Sequence, residues 1–359
     1  GFNRGNSRFD LTMGARKRHQ PRRGSLGYSR RVRAKTMEAR IRAWPSRSAT
    51  EEPKILAHCG FKAGCVQIVS IDDREKVPNA GKQLVSLGTV LVTPPVLILG
   101  VRGYSKDYDG LHAEFDVYAE DIPKYISKEM TFKNKEGALE NAEKGLKKIK
   151  EIFAIVAVSP RAAGLEMKKP YIFEAMVSGG DIQKQFEHVK ESLGKEIKID
   201  QIFETGATVD VAAITKGHGW QGVMRRWNVK KKQHKSRKTV REVGSLGPIS
   251  PQSIMYTVPR AGQTGFHQRV EYDKRIMVMG NADNDKLKIN PDGGYKHFGL
   301  VKGDFIILKG SVPGTYRRLI KMRSQIRNAP PKVNKPNILE VVIWWKLQLI
   351  QLQEQKMEK

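Results

Sequence analysis

The sequence predicts a mainly β fold in which a β-barrel is interrupted by an α+β insertion and carries two basic appendages. Three observations support this prediction. Short β-rich runs flank a central block, two segments of that block have the apolar spacing of helices, and positive charge is concentrated in residues 1–50 and 216–243. Strands followed by a helix-containing block and then by more strands are typical of a barrel split by an insertion.

The predicted barrel strands are β-rich runs bounded by Gly, Asp or Pro. In the run at 208–214, Val209, Val211 and Ala213 share one face while Asp210 lies on the other, which is the two-residue period of a strand. The runs are Cys65–Ile71, Leu84–Val92, Val96–Val101, Thr208–Ile214, Arg275–Met279, Asp304–Leu308 and Tyr316–Met322.

The predicted insertion contains two helices and three strands. The first helix spans Lys135–Lys150, where apolar residues recur three or four positions apart. The second begins at Asp181, a typical N-cap residue, and ends at Gly194. Its apolar stripe is Ile182, Phe186, Val189 and Leu193. The strands are Ile152–Val158, Tyr171–Val177 and Ile197–Phe203.

The formal net charge of the 359-residue chain is +28, and most of it lies in two short stretches. Residues 1–50 hold 14 Lys and Arg against 2 Asp and Glu, and residues 216–243 hold 10 against 1. The other 281 residues carry only +7, which is ordinary for a folded body. Such charge indicates a polyanionic partner, either nucleic acid or an anionic membrane.

Two classes of protein are disfavoured by composition and hydropathy. Two Cys residues cannot build a disulfide framework, which indicates a reducing compartment. The uncharged run Gln83–Val101 is long enough for a membrane span, but Pro94 and Pro95 interrupt it, so two buried strands joined by a turn are predicted. We therefore expect nucleic acid, and no membrane, as the partner. An Arg-rich N-terminus also resembles a transit peptide, but it lacks a repeating apolar face.

The chain divides into seven predicted regions. They are a basic N-terminal extension at 1–50, a first barrel part at 51–104, the α/β insertion at 105–204, a barrel strand at 205–215, a long basic loop at 216–268, a second barrel part at 269–327 and a C-terminal tail at 328–359. Since 53 residues exceed any simple hairpin turn, the basic loop is predicted to reach into a partner.

Several motifs for small-molecule or metal chemistry are incomplete. Gly217–Gly222 has the spacing of a dinucleotide-binding loop, but the cationic residues after it form no good apolar helix face. His58, Cys59 and Cys65 lack a second ligand pair at zinc spacing. The pairs Asp72-Asp73 and Glu51-Glu52 lie in polar, turn-like stretches. We expect no catalytic residues, no resident metal or cofactor other than Mg²⁺ carried by RNA, and no small-molecule substrate.

Cations interleaved with tryptophan and glycine favour RNA as the ligand. Arginine binds phosphates through two hydrogen bonds, and Arg and Trp both stack on bases. Duplex DNA is less favoured because no helix-turn-helix, zinc-finger or basic-zipper pattern occurs. The candidates are Arg16, Lys17, Arg18, Arg22, Arg23, Arg30, Arg31, Arg33, Lys35, Trp220, Arg225, Arg226, Trp227, Lys230, Lys231, Lys232, Arg237, Lys238 and Arg241. We expect both appendages to be flexible in the free protein, because they cannot bury enough apolar surface alone.

Three motifs in the basic loop and its return resemble the signature of the universal L-three family of large-subunit ribosomal proteins, in its archaeal and eukaryotic form. The motifs are Gly217–Trp227, Gly244–Pro248 and Arg260–Arg269. Shorter matches occur in the same order at Lys62–Gly64, Asp72-Asp73, Thr93–Pro95, Val301–Asp304 and Lys309–Gly314. The resemblance extends from about residue 8 to about residue 323.

The resemblance implies a translation-factor-like β-barrel with an inserted α/β subdomain, and two extensions that penetrate ribosomal RNA. It implies a cytoplasmic, non-enzymatic protein of the ribosome that acts early in large-subunit assembly and organises RNA near the peptidyl transferase centre, beside neighbouring ribosomal proteins. It also adds His218, Gln263, His267 and Arg269 to the RNA-binding candidates. A hydrogen bond that stabilises the loop is the structural alternative for His267.

Two features depart from the family pattern. Ile249 occupies the loop-tip position where the family usually has Trp, and the segment Asn328–Lys359 does not resemble the family's ending. Two other functions stay open from the residues alone, namely an RNA chaperone outside the ribosome and an RNA-modifying enzyme that uses the glycine loop at 217–222.

Overall fold

The structure is a computed structural model. It describes residues 31–48, 50–74, 76–128, 132, 134, 137–236, 239–250, 252–284, 289–327 and 335–342. The chain divides into two units. The loop unit comprises the described residues of 1–35 and 216–267, and the body comprises those of 36–215 and 268–359. The first predicted boundary, at residue 50, therefore differs from the observed one at Lys35.

The described residues form fifteen strands and four short α-helices. The strands are β1 Lys54–Ile55, β2 Ala57–Ile71, β3 Gln83–Val92, β4 Val96–Asp107, β5 Gly110–Tyr118, β6 Glu151–Val158, β7 Tyr171–Ser178, β8 Glu196–Ile197, β9 Thr208–Ile214, β10 Trp220–Gln221, β11 Gly262–Gln263, β12 Gln268–Asn281, β13 Asp304–Lys309, β14 Leu319–Ser324 and β15 Ile338–Val342. The helices are α1 Lys124–Ser127, α2 Ala138–Gly145, α3 Ile182–Glu191 and α4 Val223–Trp227.

Six strands of the body form a closed ring of antiparallel pairs. Their order is β14-β9-β12-β13-β3-β2, and β14 also pairs with β2. Phe61 in β2 illustrates the closure, because it lies opposite Val92 of β3 and Leu319 of β14. Its side chain is fully buried. A closed ring leaves none of the six strands with a free edge at its centre. β15 adds to the far end of β2.

A second antiparallel sheet combines β1, which precedes the first ring strand, with strands that follow β3 in the chain. Its order is β1-β7-β6-β4-β5, and β8 also pairs with β4. Phe186 and Val189 of α3 and Ala142 of α2 pack in the same apolar cluster as Ile152 and Ala154 of β6. The same cluster contains ring residues, so the two sheets share a core. The helical stripe predicted around Phe186 is therefore confirmed.

Ring strands build a second apolar cluster. Leu91, Val209, Ile306 and Ile320 come from four different strands and are all fully buried. The predicted strand at 208–214 is confirmed with the same bounds. Its polar residue, Asp210, is also buried, because it pairs with Arg323. The alternating pattern therefore predicted the strand correctly, but it did not predict that the face with Asp210 is buried as well.

Several predicted elements differ from the structure. The helix predicted at Lys135–Lys150 is α2, Ala138–Gly145, followed by a 3₁₀ turn at Leu146–Lys148. The strand predicted at Tyr316–Met322 begins only at Leu319.

The predicted strand Ile197–Phe203 is wrong, since only the first residue belongs to β8 and Ile199–Gln201 form a 3₁₀ turn. Ile199 and Phe203 are buried on one side of that turn, which produced the misleading apolar signal. The predicted strand Val96–Val101 exists within β4, but β4 lies in the second sheet. The chain therefore changes sheets at Thr93–Pro95, earlier than residue 104.

Residues 36–48 pack on the body. Ala39 is buried, and Ile41 and Trp44 contact the shared apolar cluster. Lys321 donates to Glu38 at 3.3 Å, and Arg323 donates to the carbonyl of Ala43. These contacts explain why the observed boundary falls at Lys35. No helix in the described part of the chain has both the length and the apolar character needed to cross a membrane.

Candidate nucleic-acid interface

The base of the basic loop is a short antiparallel ladder. Trp220 of β10 lies opposite Gln263 of β11. The ladder continues where the His218 amide donates to the Thr264 carbonyl at 2.8 Å and the Thr264 amide donates to the Gly219 carbonyl at 2.9 Å. Gly265 is required at the return, because its φ is +73° and a Cβ would lie 2.0 Å from a backbone oxygen. The two ends of the loop are thereby joined.

The glycine motif at 217–222 does not form a dinucleotide site. α4 begins after Gly222 but has only five residues. The strand before it, β10, is two residues long and pairs antiparallel with β11. A dinucleotide-binding unit requires a parallel strand–helix–strand arrangement whose helix end faces the pyrophosphate. The glycines instead belong to the turn that brings α4 against the loop base.

Arg226 on α4 is held by backbone carbonyls. Its Nε donates to the Gln263 carbonyl at 3.1 Å, and its Nη1 donates to the Arg260 carbonyl at 2.9 Å. Gly262 allows this position, since a Cβ there would lie 3.0 Å from the guanidinium carbon. The arginine therefore fastens α4 to the returning strand without any carboxylate.

Two guanidinium groups lie close to the ring of Trp227. Its ring is 4% exposed, and its Nε1 donates to the Arg260 carbonyl at 2.9 Å. The guanidinium carbon of Arg31 is 4.0 Å from the ring centroid, and that of Arg226 is 5.5 Å away. Arg31 also donates to the Arg226 carbonyl at 2.9 Å. The indole thus holds two cations close together by cation–π contact.

The electrostatics of this cluster favour an external anion. Burial, and after it the charge of Arg31, hold the pKa of Arg226 below its usual range. Arginine stays charged nonetheless, so both cations persist at neutral pH. Among the described residues, no Lys or Arg of the loop unit forms an ion pair with a carboxylate. A bound phosphate would relieve the repulsion between the two arginines.

The first described residues of the chain pair with the end of the loop. The Ala34 amide donates to the Phe266 carbonyl at 2.8 Å. His267 is buried, and its Nδ1 donates to the Val32 carbonyl at 2.8 Å. Gln263 donates through Nε2 to the Gly265 carbonyl at 3.0 Å. This hydrogen bond of His267 has the stabilising role expected if His267 does not contact RNA. Its acceptor, however, lies in the N-terminal segment and not in the loop.

The predicted site residues differ in accessibility. Exposed candidates are Arg33, Lys35, His218, Trp220, Arg225, Lys230, Lys231 and Arg241. Half-buried candidates are Arg31, Arg226, Lys232, Gln263 and, in the body, Arg269. Trp227 and His267 are buried, which leaves little of either side chain for contact with RNA. Outside the described residues lie Arg16, Lys17, Arg18, Arg22, Arg23, Arg30, Arg237 and Lys238.

Sequence reasoning missed the apolar tip of the loop. The segment 243–259 contains no charged residue. Within it, Ile249 is 89% exposed and Met255 and Tyr256 are also exposed. The signal was present in the sequence, because this uncharged stretch interrupts a strongly cationic region. The loop therefore combines a cationic base with an uncharged end.

Comparison with known proteins identifies the family. The family model for "Ribosomal protein L3" matches residues 13–343. The chain belongs to the ribosomal protein L3 family. The match includes both the loop unit and the body, and it contains the motifs at 217–227 and 260–269. The family resemblance of the sequence is thus confirmed.

Similar proteins come from archaea and are matched over nearly their whole length. The large ribosomal subunit protein uL3 of Methanothermobacter thermautotrophicus is 37% identical over 326 residues, which is 89% of this chain and 96% of that protein. The uL3 of Methanococcus vannielii is 37% identical over 326 residues, covering 90% and 96%. The uL3 of Methanococcus aeolicus is 38% identical over 328 residues, covering 90% and 97%.

Proposed function

We propose that this chain is a structural component of the large ribosomal subunit and binds ribosomal RNA mainly through its loop unit. The observation that carries the proposal is the separation of charge between the two units. Residues 1–35 and 216–267 hold 22 Lys and Arg against 2 Asp and Glu, so they carry +20 of the net charge of +28. Repulsion among these charges destabilises the compact state of such a segment, and a bound polyanion would relieve it.

The cluster around Trp227 supplies a preorganised cation pair. Backbone carbonyls fix the guanidinium group of Arg226, and the indole fixes that of Arg31. A cation that is already positioned loses less entropy when it binds a phosphate. The exposed ring of Trp220, which is 77% accessible, offers a stacking surface beside these cations. We assign phosphate binding to the arginines, base stacking to Trp220 and positioning to Trp227.

The body fits the role of a docking platform. Its closed ring of six strands supports a translation-factor-like β-barrel, and the second sheet with α2 and α3 supports an inserted α/β subdomain. The family and the relatives support a non-enzymatic role in the cytoplasmic ribosome. On this proposal the protein supports early subunit assembly, organises RNA near the peptidyl transferase centre, contacts neighbouring ribosomal proteins and meets Mg²⁺ only as an ion of the RNA.

Sedimentation tests the proposal. A tagged copy of the chain should sediment with large subunits through a sucrose gradient and stay bound after a high-salt wash, because RNA would enclose many contacts at once. A chain that remains at the top of the gradient, or that the wash removes while the subunits stay intact, would instead indicate an RNA chaperone outside the ribosome. Calorimetry that detects tight dinucleotide binding by the purified chain would favour the enzyme.

A further inference from the structure

Residues 105–204 of the body carry a net negative charge, although the chain as a whole is strongly positive. Residues 105–204 hold 19 Asp and Glu against 16 Lys and Arg, a net charge of −3 within a chain of +28. The excess is concentrated in residues 105–121, which contain six carboxylates and a single Lys, and of the six only Asp116 forms an ion pair among the described residues, with Arg102. A surface of this sign repels phosphates, so RNA is a poor partner for it.

This acidic stretch forms a hairpin that extends beyond its sheet. β4 pairs with β6 from Leu97 to Tyr104, whereas β4 and β5 continue to pair as far as Asp107 and Gly110. The hairpin tip is therefore a two-stranded ribbon. Isolated ribbons of this kind are marginal in water and gain stability when a further strand joins them.

β5 is an edge strand of the second sheet. Among the described residues it pairs only with β4. At its C-terminal end, Asn134 covers the edge, because it accepts from the Tyr118 amide at 2.8 Å and donates to the Tyr118 carbonyl at 2.7 Å. No described side chain covers residues 111–114 in the same way. A register shift between Gly103 and Tyr104 leaves Glu114 as a bulge of β5, so the regular edge at residues 111–113 is the template for an added strand.

The tip carries the residue types that anchor protein interfaces. Tyr108 is fully exposed, with a relative accessibility of 104%, and stands between Asp107 and Asp109. Leu111, on the edge strand, is 46% exposed. Tyrosine is enriched where proteins bind one another, and flanking carboxylates select a cationic partner.

We propose that the β4–β5 hairpin docks an extended, Lys- or Arg-rich segment of another protein, which pairs with residues 111–113 of β5 and covers Tyr108. Charge complementarity selects this occupant. The edge supplies backbone hydrogen bonds, Tyr108 and Leu111 supply apolar contact, and Asp107 and Asp109 supply the attraction for basic side chains. The proposal rests on the proposed function only for the identity of the partner, which would then be a neighbouring protein of the large subunit.

Photocrosslinking of the purified full-length chain tests the surface without the ribosome. With p-benzoylphenylalanine in place of Tyr108, we expect a crosslink to a synthetic decapeptide of alternating Lys and Val, and little to a uridine decamer. The double substitution Asp107→Asn and Asp109→Asn should lower the peptide yield at least about threefold, since rim charges govern encounter. Glu187→Gln with Glu191→Gln, exposed carboxylates on α3, is the matched control and should leave the yield unchanged.

The same crosslinker in assembled large subunits identifies the occupant. The inference predicts that position 108 crosslinks to a basic protein segment, whereas a crosslinker in place of Trp220 reaches RNA. A crosslink from position 108 to RNA or to a second copy of this chain, or no crosslink in intact subunits, would overturn the inference. If the chain does not enter subunits, the proposed function fails, and the decapeptide result still decides whether the hairpin binds a basic strand.

Discussion

Buried and half-buried Lys and Arg side chains have different partners in the body and in the loop unit. In the body, the most buried cations face carboxylates, since Arg323 pairs with Asp210 at 3.0 Å and Lys321 pairs with Glu38 at 3.3 Å. In the loop unit, Arg226 and Arg31 meet only carbonyls and an indole ring among the described residues. The body does use carbonyls for Lys62 and Arg318, but it has carboxylates available elsewhere. Cations of the body that pair with carboxylates stabilise the fold. Cations of the loop unit that meet no carboxylate among the described residues are available to bind a partner.

The largest expected effect concerns the buried ion pair of the body. Asp210→Ala should lower the free energy of unfolding by about 3–5 kcal/mol, because Arg323 would be left as an uncompensated buried charge. The Asp273 amide, which now donates to Asp210 at 3.1 Å, would also lose its acceptor. Urea denaturation of the full chain measures the change.

An exposed pair is the control for this prediction. Lys190 and Glu143 are 2.8 Å apart, with both side chains about half exposed. Glu143→Gln should cost no more than about 0.5 kcal/mol, since solvent screens such pairs. If both substitutions lowered the free energy of unfolding by the same amount, the buried ion pair of the body would stabilise the fold no more than an exposed pair does.

The second effect concerns the pH dependence of the body. Burial lowers the pKa of His58 to about 4, against 6.5 for the exposed side chain. Below pH 6.5 the unfolded chain gains a proton that the folded chain does not, so stability is complete above about pH 6.5 and falls as the pH approaches 4. The loss should approach about 3 kcal/mol at and below pH 4. Denaturation midpoints at several pH values measure it.

A substitution separates this histidine from other titrating groups. His58→Gln should flatten the stability profile between pH 6.5 and 4, even though the variant is less stable at neutral pH. The affinity of the loop unit for RNA should vary with pH in the same way in His58→Gln as in the wild-type chain. If the free energy of unfolding of His58→Gln still fell with the wild-type slope between pH 6.5 and 4, His58 would not be the cause of the pH dependence.

The third effect distinguishes the two tryptophans of the loop unit. Trp220→Ala should weaken RNA binding by about 1–3 kcal/mol through lost base stacking, with no change in the fold. Trp227→Ala should act on the fold of the loop base, because the guanidinium groups of Arg31 and Arg226 would lose their cation–π contacts with the ring. Filter binding to large-subunit RNA measures the first change, and limited proteolysis within 239–260 measures the second. Faster proteolysis of Trp220→Ala than of Trp227→Ala would reverse these roles.

The sequence predicted the strands whose apolar residues dominate their local pattern. Thr208–Ile214 and the run at 304–308 are examples. It missed β5, in which charged residues and His112 interrupt the β-branched pattern typical of a strand. It also placed residues 36–48 in the extension, since a segment that packs by Ala39 and Trp44 alone has no periodic signal. Long-range packing determined these positions.

The candidate site was predicted in composition but not in arrangement. Counting cations located Arg31 and Arg226, but no local rule brings together two residues that are 195 positions apart. Trp227 stands among cations in the sequence, which favoured an exposed stacking role, yet its side chain is buried. The expected flexibility of both appendages stays a prediction.

The salt dependence of RNA binding separates the contribution of the loop unit from that of the body. The substitutions Lys230→Gln, Lys231→Gln and Lys235→Gln remove three exposed cations of the loop unit, and Lys147→Gln, Lys168→Gln and Lys184→Gln remove three exposed cations of the body. The account predicts that the slope of log K against log salt becomes about 2 less steep for the loop variant, since each lost phosphate contact removes roughly 0.7–0.9. The body variant should keep the wild-type slope. Equal changes in the two variants would contradict the claim that the unbalanced charge of the loop unit holds the RNA.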